Sequence, residues 1–420
     1  MAVRRLLAPA TGLAAMIAVS LPILIVPYGG DDVVNRNWAL KSWSAAIAEN
    51  VDLIQQWMRN EGRFFPTSAA YGVVVWETFT SRALYTAYLT VLAVALGALV
   101  LFAIGRYTRR WDVAAVTVAV LACGVQFRFF WDGFTSFAGL IPFSLLLTVG
   151  AACLAFAVYR GRSLAYAGVA AVVWSLTITA YEVSLLMLPA VLLLLVVRAA
   201  RSRRHAAAAI GALAVPTVLD LALVAWLRSH LTAPPAPGYT IAINGDVPQT
   251  ALSQFVAALP LSQHLFGIAP ASCPLLTPLG VVLAIGLGAA MAIGVRRASN
   301  EGYGPTRQHP WAMLIAGIWI WVIPTLLAGI TSRWQTQLPL HQGYIYVVYE
   351  SLGVALIVAA LYTALTARIG DPRSRKVAMV VAGLAGVLAG LTAGTNLDYG
   401  RQMSPGPDGP DWALSQEAAR

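Results

Sequence analysis

Residues 83–104 read ALYTAYLTVLAVALGALVLFAI, an apolar run without a charged residue. The hydrocarbon core of a bilayer is roughly 30 Å thick, so a helix needs about 20 such residues to cross it. Comparable runs recur along the chain, at 6–26, 111–127, 136–158, 163–180, 182–198, 206–227, 276–295, 310–330, 344–366 and 377–394. The sequence therefore predicts an all-α polytopic membrane protein of about 11 spans, with one transmembrane domain over residues 1–394.

The overall composition supports this class. Hydrophobic residues make up 59% of the chain and charged residues 11%, whereas about a quarter of an ordinary globular protein is charged. The net charge of +10 comes from short basic clusters between apolar runs, not from one stripe with interleaved aromatic residues, so we expect no nucleic-acid partner. Cys123, Cys153 and Cys273 lack the spacing of metal ligands, and we expect no zinc site or disulfide framework.

The basic residues are concentrated in alternate loops, and this predicts the orientation. Cytoplasmic loops are rich in Lys and Arg. The short loops assigned to the inside hold 18 of the 28 basic residues, namely Arg4, Arg5, Arg106, Arg109, Arg110, Arg160, Arg162, Arg198, Arg201, Arg203, Arg204, Arg296, Arg297, Arg307, Arg368, Arg373, Arg375 and Lys376. We therefore expect a cytoplasmic N-terminus and an outer C-terminus. The segment 163–198 fits either two spans or one re-entrant hairpin.

The ends of the chain add two expectations. The first apolar run is longer than the core of a signal peptide and no A-x-A site precedes the following loop, which predicts an uncleaved span. The tail 395–420 contains several prolines and acidic residues, and we expect it to be disordered outside the membrane. The Ala-, Val- and Arg-rich, Lys-poor composition is typical of a high-GC bacterium and predicts a bacterial plasma membrane protein.

Three outer segments are long enough to carry function: the loops 27–82 and 228–275, and the short polar segment 331–343. In the loop 27–82, apolar residues recur every three or four positions from Leu40 to Met58, which predicts an amphipathic helix lying on the membrane. Trp43 and Trp57 of this helix suit the headgroup level. The loop 228–275 is rich in Pro and Gly, and we expect it to be irregular.

Ionisable residues near the membrane often mark function, and here they gather at the predicted outer face. A transferase that acts on a sugar hydroxyl needs a carboxylate base, and a lipid-borne leaving phosphate is suited to Arg. The candidate catalytic residues are Asp31, Asp32 and Glu182. The candidate residues for binding phosphate or sugar are Arg63, Arg128, Asp132, Arg333, Gln335 and His341. Two adjacent carboxylates could also bind a divalent cation such as Mg²⁺ or Mn²⁺, although no third ligand is evident and we assign no metal site.

Each candidate also has a structural interpretation. Asp31-Asp32 follows Gly29-Gly30 and could be a solvated turn at the start of the surface helix. Arg128 with Asp132 could be an ion pair at the interface, and Glu182, between two apolar runs, could pair with an Arg in helix packing. His341 could be an ordinary loop histidine.

Taken together, the acidic pair after the first span, the surface helix through Trp43 and Trp57, and the run Gly62-Arg63-Phe64-Phe65-Pro66 resemble the GT-C class of integral-membrane glycosyltransferases. Tyr181-Glu182-Val183 and Arg333-Trp334-Gln335 resemble segments of bacterial glucosyltransferase-like membrane proteins. The resemblance implies an inverting transferase with Asp31 or Asp32 as base. Its donor would be a polyprenyl-phosphate-linked sugar, and its acceptor an envelope glycan or lipid on the outer face. Many members of this class carry a soluble C-terminal domain, whereas this sequence has only a short C-terminal tail.

Other functions remain open. A transporter or flippase of a lipid-linked or small envelope precursor would have the same composition, and Asp220, the one strong charge that we place near the middle of a span, favours it. A glycan polymer ligase would depend more on Arg333 and His341. A scaffold in an envelope assembly would leave the carboxylates without a chemical role.

Overall fold

Apolar sequence forms helices along almost the whole chain. A computed structural model describes residues 2–26, 32, 42–128, 132–231, 240–266, 274–299, 309–338, 342–367 and 372–403. In chain order the helices are α1 Ala2–Ser20, α2 Trp43–Gln56, α3 Pro66–Thr78, α4 Arg82–Thr108, α5 Trp111–Ala122, α6 Leu140–Tyr159, α7 Ala165–Ala180, α8 Leu188–Val196, α9 Arg203–Ser229, α10 Val247–Ala257, α11 Ser262–Leu265, α12 Pro278–Ser299, α13 Pro310–Ile330, α14 Ser332–Gln337, α15 Val347–Leu365 and α16 Pro372–Met403. Short 3₁₀ segments extend α1 (Leu21–Ile25) and precede α6 (Phe137–Gly139) and α8 (Glu182–Met187).

Eight helices of the described part are long and apolar enough to cross a membrane: α1 with its 3₁₀ extension, α4, α6, α9, α12, α13, α15 and α16. Three shorter apolar helices accompany them, at Trp111–Ala122, Ala165–Ala180 and Glu182–Val196. These findings confirm the predicted class, a helical multi-pass membrane protein.

The centre of the bundle is the short helix α5. All of its residues from Asp112 to Ala122 are buried, which is what a helix that is apolar on every side requires. It packs against α1, α4, α15 and α16. At its start the buried Arg110 donates to the buried Asp112 through Nε (3.1 Å) and through Nη2. Tyr362 also donates to Asp112 (3.0 Å), so this polar end is tied to α15.

The most extensive helix pair, α12 and α16, is packed through small residues. On α16, Gly386, Gly390 and Gly394 recur every four residues and face α12. A Cβ added at Gly390 would lie 2.3 Å from the backbone nitrogen of Ala284, so only glycine fits there. Without a hydrophobic driving force between helices in lipid, such close backbone approach is what holds two helices together.

The described part of the loop 27–82 contains the predicted amphipathic helix and one helix more. Residues Trp43–Gln56 are helical, and Ser42 caps the start by accepting from the amide of Ala45. Trp43, Ile47 and Val51, spaced one turn apart, are all about half exposed and form one apolar stripe. Helix α3 was not predicted. It begins at Pro66, where a proline is tolerated because the first helical amide has no partner within the helix.

Two expectations about loop segments differ from the structure. The loop 228–275 is not irregular throughout: α9 continues to Ser229, and α10 begins at Val247 with Pro248 in its first turn, where proline is well accommodated. The last helix continues to Met403, past the residue where we expected the tail 395–420 to begin. Residues 404–420 lie outside the described part.

Candidate functional site

The structure brings together two of the predicted site residues, Arg63 and Glu182. The Arg63 guanidinium donates to both carboxylate oxygens of Glu182, from Nη2 at 2.9 Å and from Nε at 3.3 Å. Its Nη1 also contacts Glu61 at 3.3 Å. The side chains of Arg63 and Glu182 are 19% and 38% exposed. This group, called the Arg63–Glu182 site below, is therefore an oriented and partly exposed ion pair.

Local backbone features place both residues. Before Arg63, the π-helical turn Trp57–Glu61 ends at Gly62, whose φ of +61° suits glycine. A Cβ at Gly62 would also lie 2.5 Å from the side chain of Arg228 on α9. On the other side, α7 ends at Ala180 because Tyr181 is extended (φ −156°, ψ 122°), and Glu182 begins the next 3₁₀ segment. The break presents Glu182 at the end of a helix instead of within it.

Aromatic side chains surround the ion pair. The Arg63 guanidinium lies 4.5 Å from the ring centroid of Phe65, at cation–π distance. Tyr181 and Tyr346 have ring centroids 6.1 Å apart. Beyond them, Tyr344 contacts Tyr346 edge to face (4.9 Å) and stacks on Trp334 (3.7 Å). This aromatic wall leads from the ion pair to the segment around Trp334.

Asp220, which favoured transport in the sequence, lies close enough to this site to be affected by it. Its partly buried side chain projects from α9, and the charge of Glu182 acts on it. The carboxylates of Glu182 and Asp220 therefore lie near enough to act on each other.

Asp32 occupies a different environment. Its side chain is fully buried. One carboxylate oxygen accepts from the amide of Ala138 (2.8 Å), and the other accepts from the Tyr85 hydroxyl. Residues 137–139 all have positive φ, a costly conformation for Phe137 and Ala138. The carboxylate thus connects residue 32 to this strained turn and to α4, and in this geometry it is closed to a sugar hydroxyl.

Asp132 and Arg128 stabilise a buried turn. Asp132 accepts from the amides of Arg128 (2.9 Å), Phe134 (2.7 Å) and Thr135 (3.0 Å). Arg128 donates through Nη2 to the carbonyl of Ala257 (2.6 Å). Burial raises the pKa of Asp132 above its ordinary value, opposed by the amide bonds and by Arg128. Burial likewise lowers the pKa of Arg128. These contacts give the pair a structural role.

A third buried carboxylate belongs to the same region. Glu350, fully buried near the start of α15, accepts from Gln254 (2.8 Å) and from Thr325 (3.0 Å). The side-chain oxygen of Gln254 accepts from the amide of Tyr344 (2.7 Å). Tyr344 therefore connects this network to the aromatic wall, and Glu350 helps to hold Tyr344 in place through Gln254.

The remaining predicted residues are placed as follows. Arg333 lies over the ring of its neighbour Trp334 (5.2 Å) and donates to Gln337 (2.9 Å). Gln335 donates to the carbonyls of Ala242 (2.7 Å) and Gly329 (2.8 Å), so it joins two segments. Asp31 and His341 lie outside the described residues. Within the described part, no group of three or more His, Cys, Asp or Glu side chains could hold a metal ion.

Sequence reasoning missed the partners of these groups. Gln254 and Thr325 lie in apolar helices and carry no signal of their own. Tyr344, Tyr346 and Tyr349 did carry one, because three tyrosines in six residues at the start of a span exceed what lipid exposure needs. Their density at one membrane boundary was the available sign of the aromatic wall.

No protein-family model matches the chain, and no curated protein sequence matches it significantly. The geometry of the Arg63–Glu182 site is therefore the basis for a function.

Proposed function

We propose that the protein is a membrane glycosyltransferase that moves a sugar from a polyprenyl-phosphate-linked donor to an envelope glycan or lipid acceptor on the outer face. The observation that carries the proposal is the partly exposed Glu182, both of whose oxygens accept from the Nε and Nη2 edge of Arg63, beside an aromatic wall. A carboxylate, a cation and aromatic rings are the groups that this reaction needs in one place.

In this proposal Glu182 is the general base and Arg63 faces the donor phosphate. The acceptor hydroxyl attacks the anomeric carbon as its proton passes to Glu182, and the bond from that carbon to the phosphate oxygen breaks. The polyprenyl phosphate leaves with the bonding electrons. Arg63 orients the Glu182 carboxylate through Nε and Nη2, and its positive charge beside that carboxylate can attract the donor phosphate.

The exposure of the candidate carboxylates supports Glu182 over Asp32 as the base. Glu182 is 38% exposed, whereas Asp32 is fully buried with both oxygens engaged. The role of Asp31 as a base, which the resemblance implies, stays a prediction. The role of His341 in binding phosphate or sugar also stays a prediction. A divalent cation between the acidic pair is likewise only a prediction.

We also propose that the helices make eleven crossings, with the three short apolar helices counted as spans. The basic residues in alternate loops support a cytoplasmic N-terminus, an outer C-terminus and a bacterial plasma membrane. Helices α7 and α8 run out and back, because the amide of Arg201, after the end of α8, donates to the carbonyl of Tyr159, the last residue of α6 before α7 (2.9 Å). Tyr181 would then lie at the outer surface.

The test is envelope composition in a deletion strain. Cells complemented with the wild type, with Glu182→Gln and with Glu49→Gln are compared at matched protein levels. Glu49 is an exposed glutamate on α2 and serves as the control. We expect Glu182→Gln alone to lose one sugar modification. Full restoration by Glu182→Gln would refute the assignment of the base.

Transport is the second candidate, and Asp220 is the residue that favours it. The negative charge of Glu182 acts on Asp220, which supports grouping Asp220 with the proposed transferase site. If Asp220→Asn abolishes export of an envelope precursor while Glu182→Gln does not, the transport function is correct.

A further inference from the structure

A large cavity lies at the opposite end of the bundle from the Arg63–Glu182 site. Its volume is about 660 Å³, within the range of small-molecule sites. It lies between the second half of α4, the second half of α6 and the length of α8, and reaches α13 and α15. None of the groups in the proposed sugar-transfer site lines it.

Five arginines line the cavity, all from the ends of these helices or the loops beside them: Arg106, Arg109, Arg160, Arg162 and Arg198. The described lining includes no Asp or Glu. Arg160 and Arg198 are held by the carbonyls of Ala199 (2.9 Å) and Tyr107 (2.8 Å), and a carbonyl contact leaves the charge of the guanidinium in place. The arginine end of the cavity is thus suited to a phosphate.

The rest of the lining is mainly apolar, and its deep end lies next to a group of buried hydroxyls. Thr148, Met187 and Leu352 line the deep end. Each of them lies about one helical turn after one of three buried residues, Ser144, Ser184 and Tyr349. The hydroxyls of these three residues form a closed triangle in which each pair is 2.8–2.9 Å apart. The hydroxyl triangle therefore separates the cavity from the Arg63–Glu182 site.

The length of the cavity matches one leaflet of a membrane. From Thr148 to Arg160 is 12 residues of α6 and its cap, or about 18 Å at 1.5 Å per residue. Half of a bilayer core is roughly 15 Å. An apolar channel of this length with a cationic mouth has the shape and charge of one acyl chain below its headgroup.

We propose that this cavity binds an anionic phospholipid, with its phosphate on the arginine mouth and one acyl chain between α4, α6 and α8. The occupant is a lipid rather than a free phosphate because the apolar part of the lining is the larger part. This site is independent of the proposed sugar transfer.

Native mass spectrometry of the purified full-length protein in detergent tests the proposal. The probes are dioleoyl phosphatidylglycerol, dioleoyl phosphatidylcholine and inorganic phosphate. We expect one retained phosphatidylglycerol per chain, and retention of phosphatidylcholine at least tenfold weaker. Equal retention of the two lipids, or retention of neither, would overturn the proposal. Binding of inorganic phosphate that prevents lipid retention would replace it with a free-phosphate site.

Variants locate the site. Arg106→Gln/Arg162→Gln, two exposed arginines of the mouth, should weaken retention by about tenfold or more. The matched control is Arg203→Gln/Arg204→Gln, two exposed arginines at the start of α9 that do not line the cavity. If both pairs reduce retention equally, the lipid is bound by general surface charge and the proposal is wrong.

A filling variant tests the apolar part. Ala152→Phe places a ring in the cavity and should abolish retention. Val172→Phe, on the exposed face of α7, should not. Unchanged lipid retention in a folded Ala152→Phe protein would show that the acyl chain lies elsewhere.

Discussion

Replacing Asp32 separates a structural carboxylate from a catalytic one. The two oxygens of Asp32 accept from Ala138 and Tyr85. Asn can preserve both contacts, since its oxygen can accept from the amide and its NH₂ can donate to the hydroxyl of Tyr85. Ala can preserve neither. We therefore expect Asp32→Asn to remain active and Asp32→Ala to be damaged through its stability.

The expected magnitudes follow from these two bonds. A hydrogen bond to a charged group contributes about 1.5–3 kcal/mol and a neutral one about 0.5–1.5 kcal/mol. Losing both bonds in Asp32→Ala should lower the free energy of unfolding by about 3–6 kcal/mol. Losing only the charge in Asp32→Asn should lower it by about 2 kcal/mol. Tyr85→Phe, which removes one bond, should fall between the wild type and Asp32→Ala.

The assay is reversible unfolding in mixed micelles titrated with SDS, paired with sugar incorporation in complemented cells. If the geometry is right, activity in the three variants follows the amount of folded protein. If folded Asp32→Asn protein, compared at a matched amount with the wild type, loses more than 100-fold in sugar transfer, Asp32 is the base and a purely structural role is refuted.

Three further predictions concern the bundle and the membrane surface. Gly390→Leu should destabilise the protein by about 3 kcal/mol or more, because the new side chain would meet the backbone of α12. Gly286→Leu, which has open space around it, should change stability little. Equal effects of the two variants in SDS unfolding would contradict the packing. Asp112→Ala should cost about 3–5 kcal/mol because it leaves Arg110 buried without its carboxylate, and a change below 1 kcal/mol in the same assay would disprove that role. Bromine-labelled lipids should quench the fluorescence of Trp43, when it is the only tryptophan kept, at shallow positions of the bromine; quenching by deep labels alone would place α2 elsewhere.

The class of fold could be predicted from sequence because it depends on local composition. Apolar length predicted the long helices, and the spacing from Trp43 onward predicted α2. The break at Tyr181 was also visible, because a glutamate interrupts two apolar runs. These features need no knowledge of what lies across the bundle.

The partners in the site could not be predicted in this way. Arg63 and Glu182 are 119 positions apart, and nothing local distinguishes an arginine that meets a phosphate from one that meets a carboxylate. The acidic pair at residues 31 and 32 looked exposed because it follows two glycines, yet Asp32 is buried by α4 and by the turn at Ala138. Side-chain environments of this kind arise from tertiary packing.

The most direct measurement of the central claim uses the lipid that cells accumulate. Lipids extracted from the deletion strain carrying Glu182→Gln are incubated with purified wild-type protein and with purified Glu182→Gln protein, together with envelope acceptor. We predict that the wild type releases polyprenyl phosphate from a lipid-linked sugar in that extract, while Glu182→Gln releases at least 100-fold less. If neither protein consumes any lipid-linked sugar, or if both do so equally, the proposed transferase mechanism is contradicted.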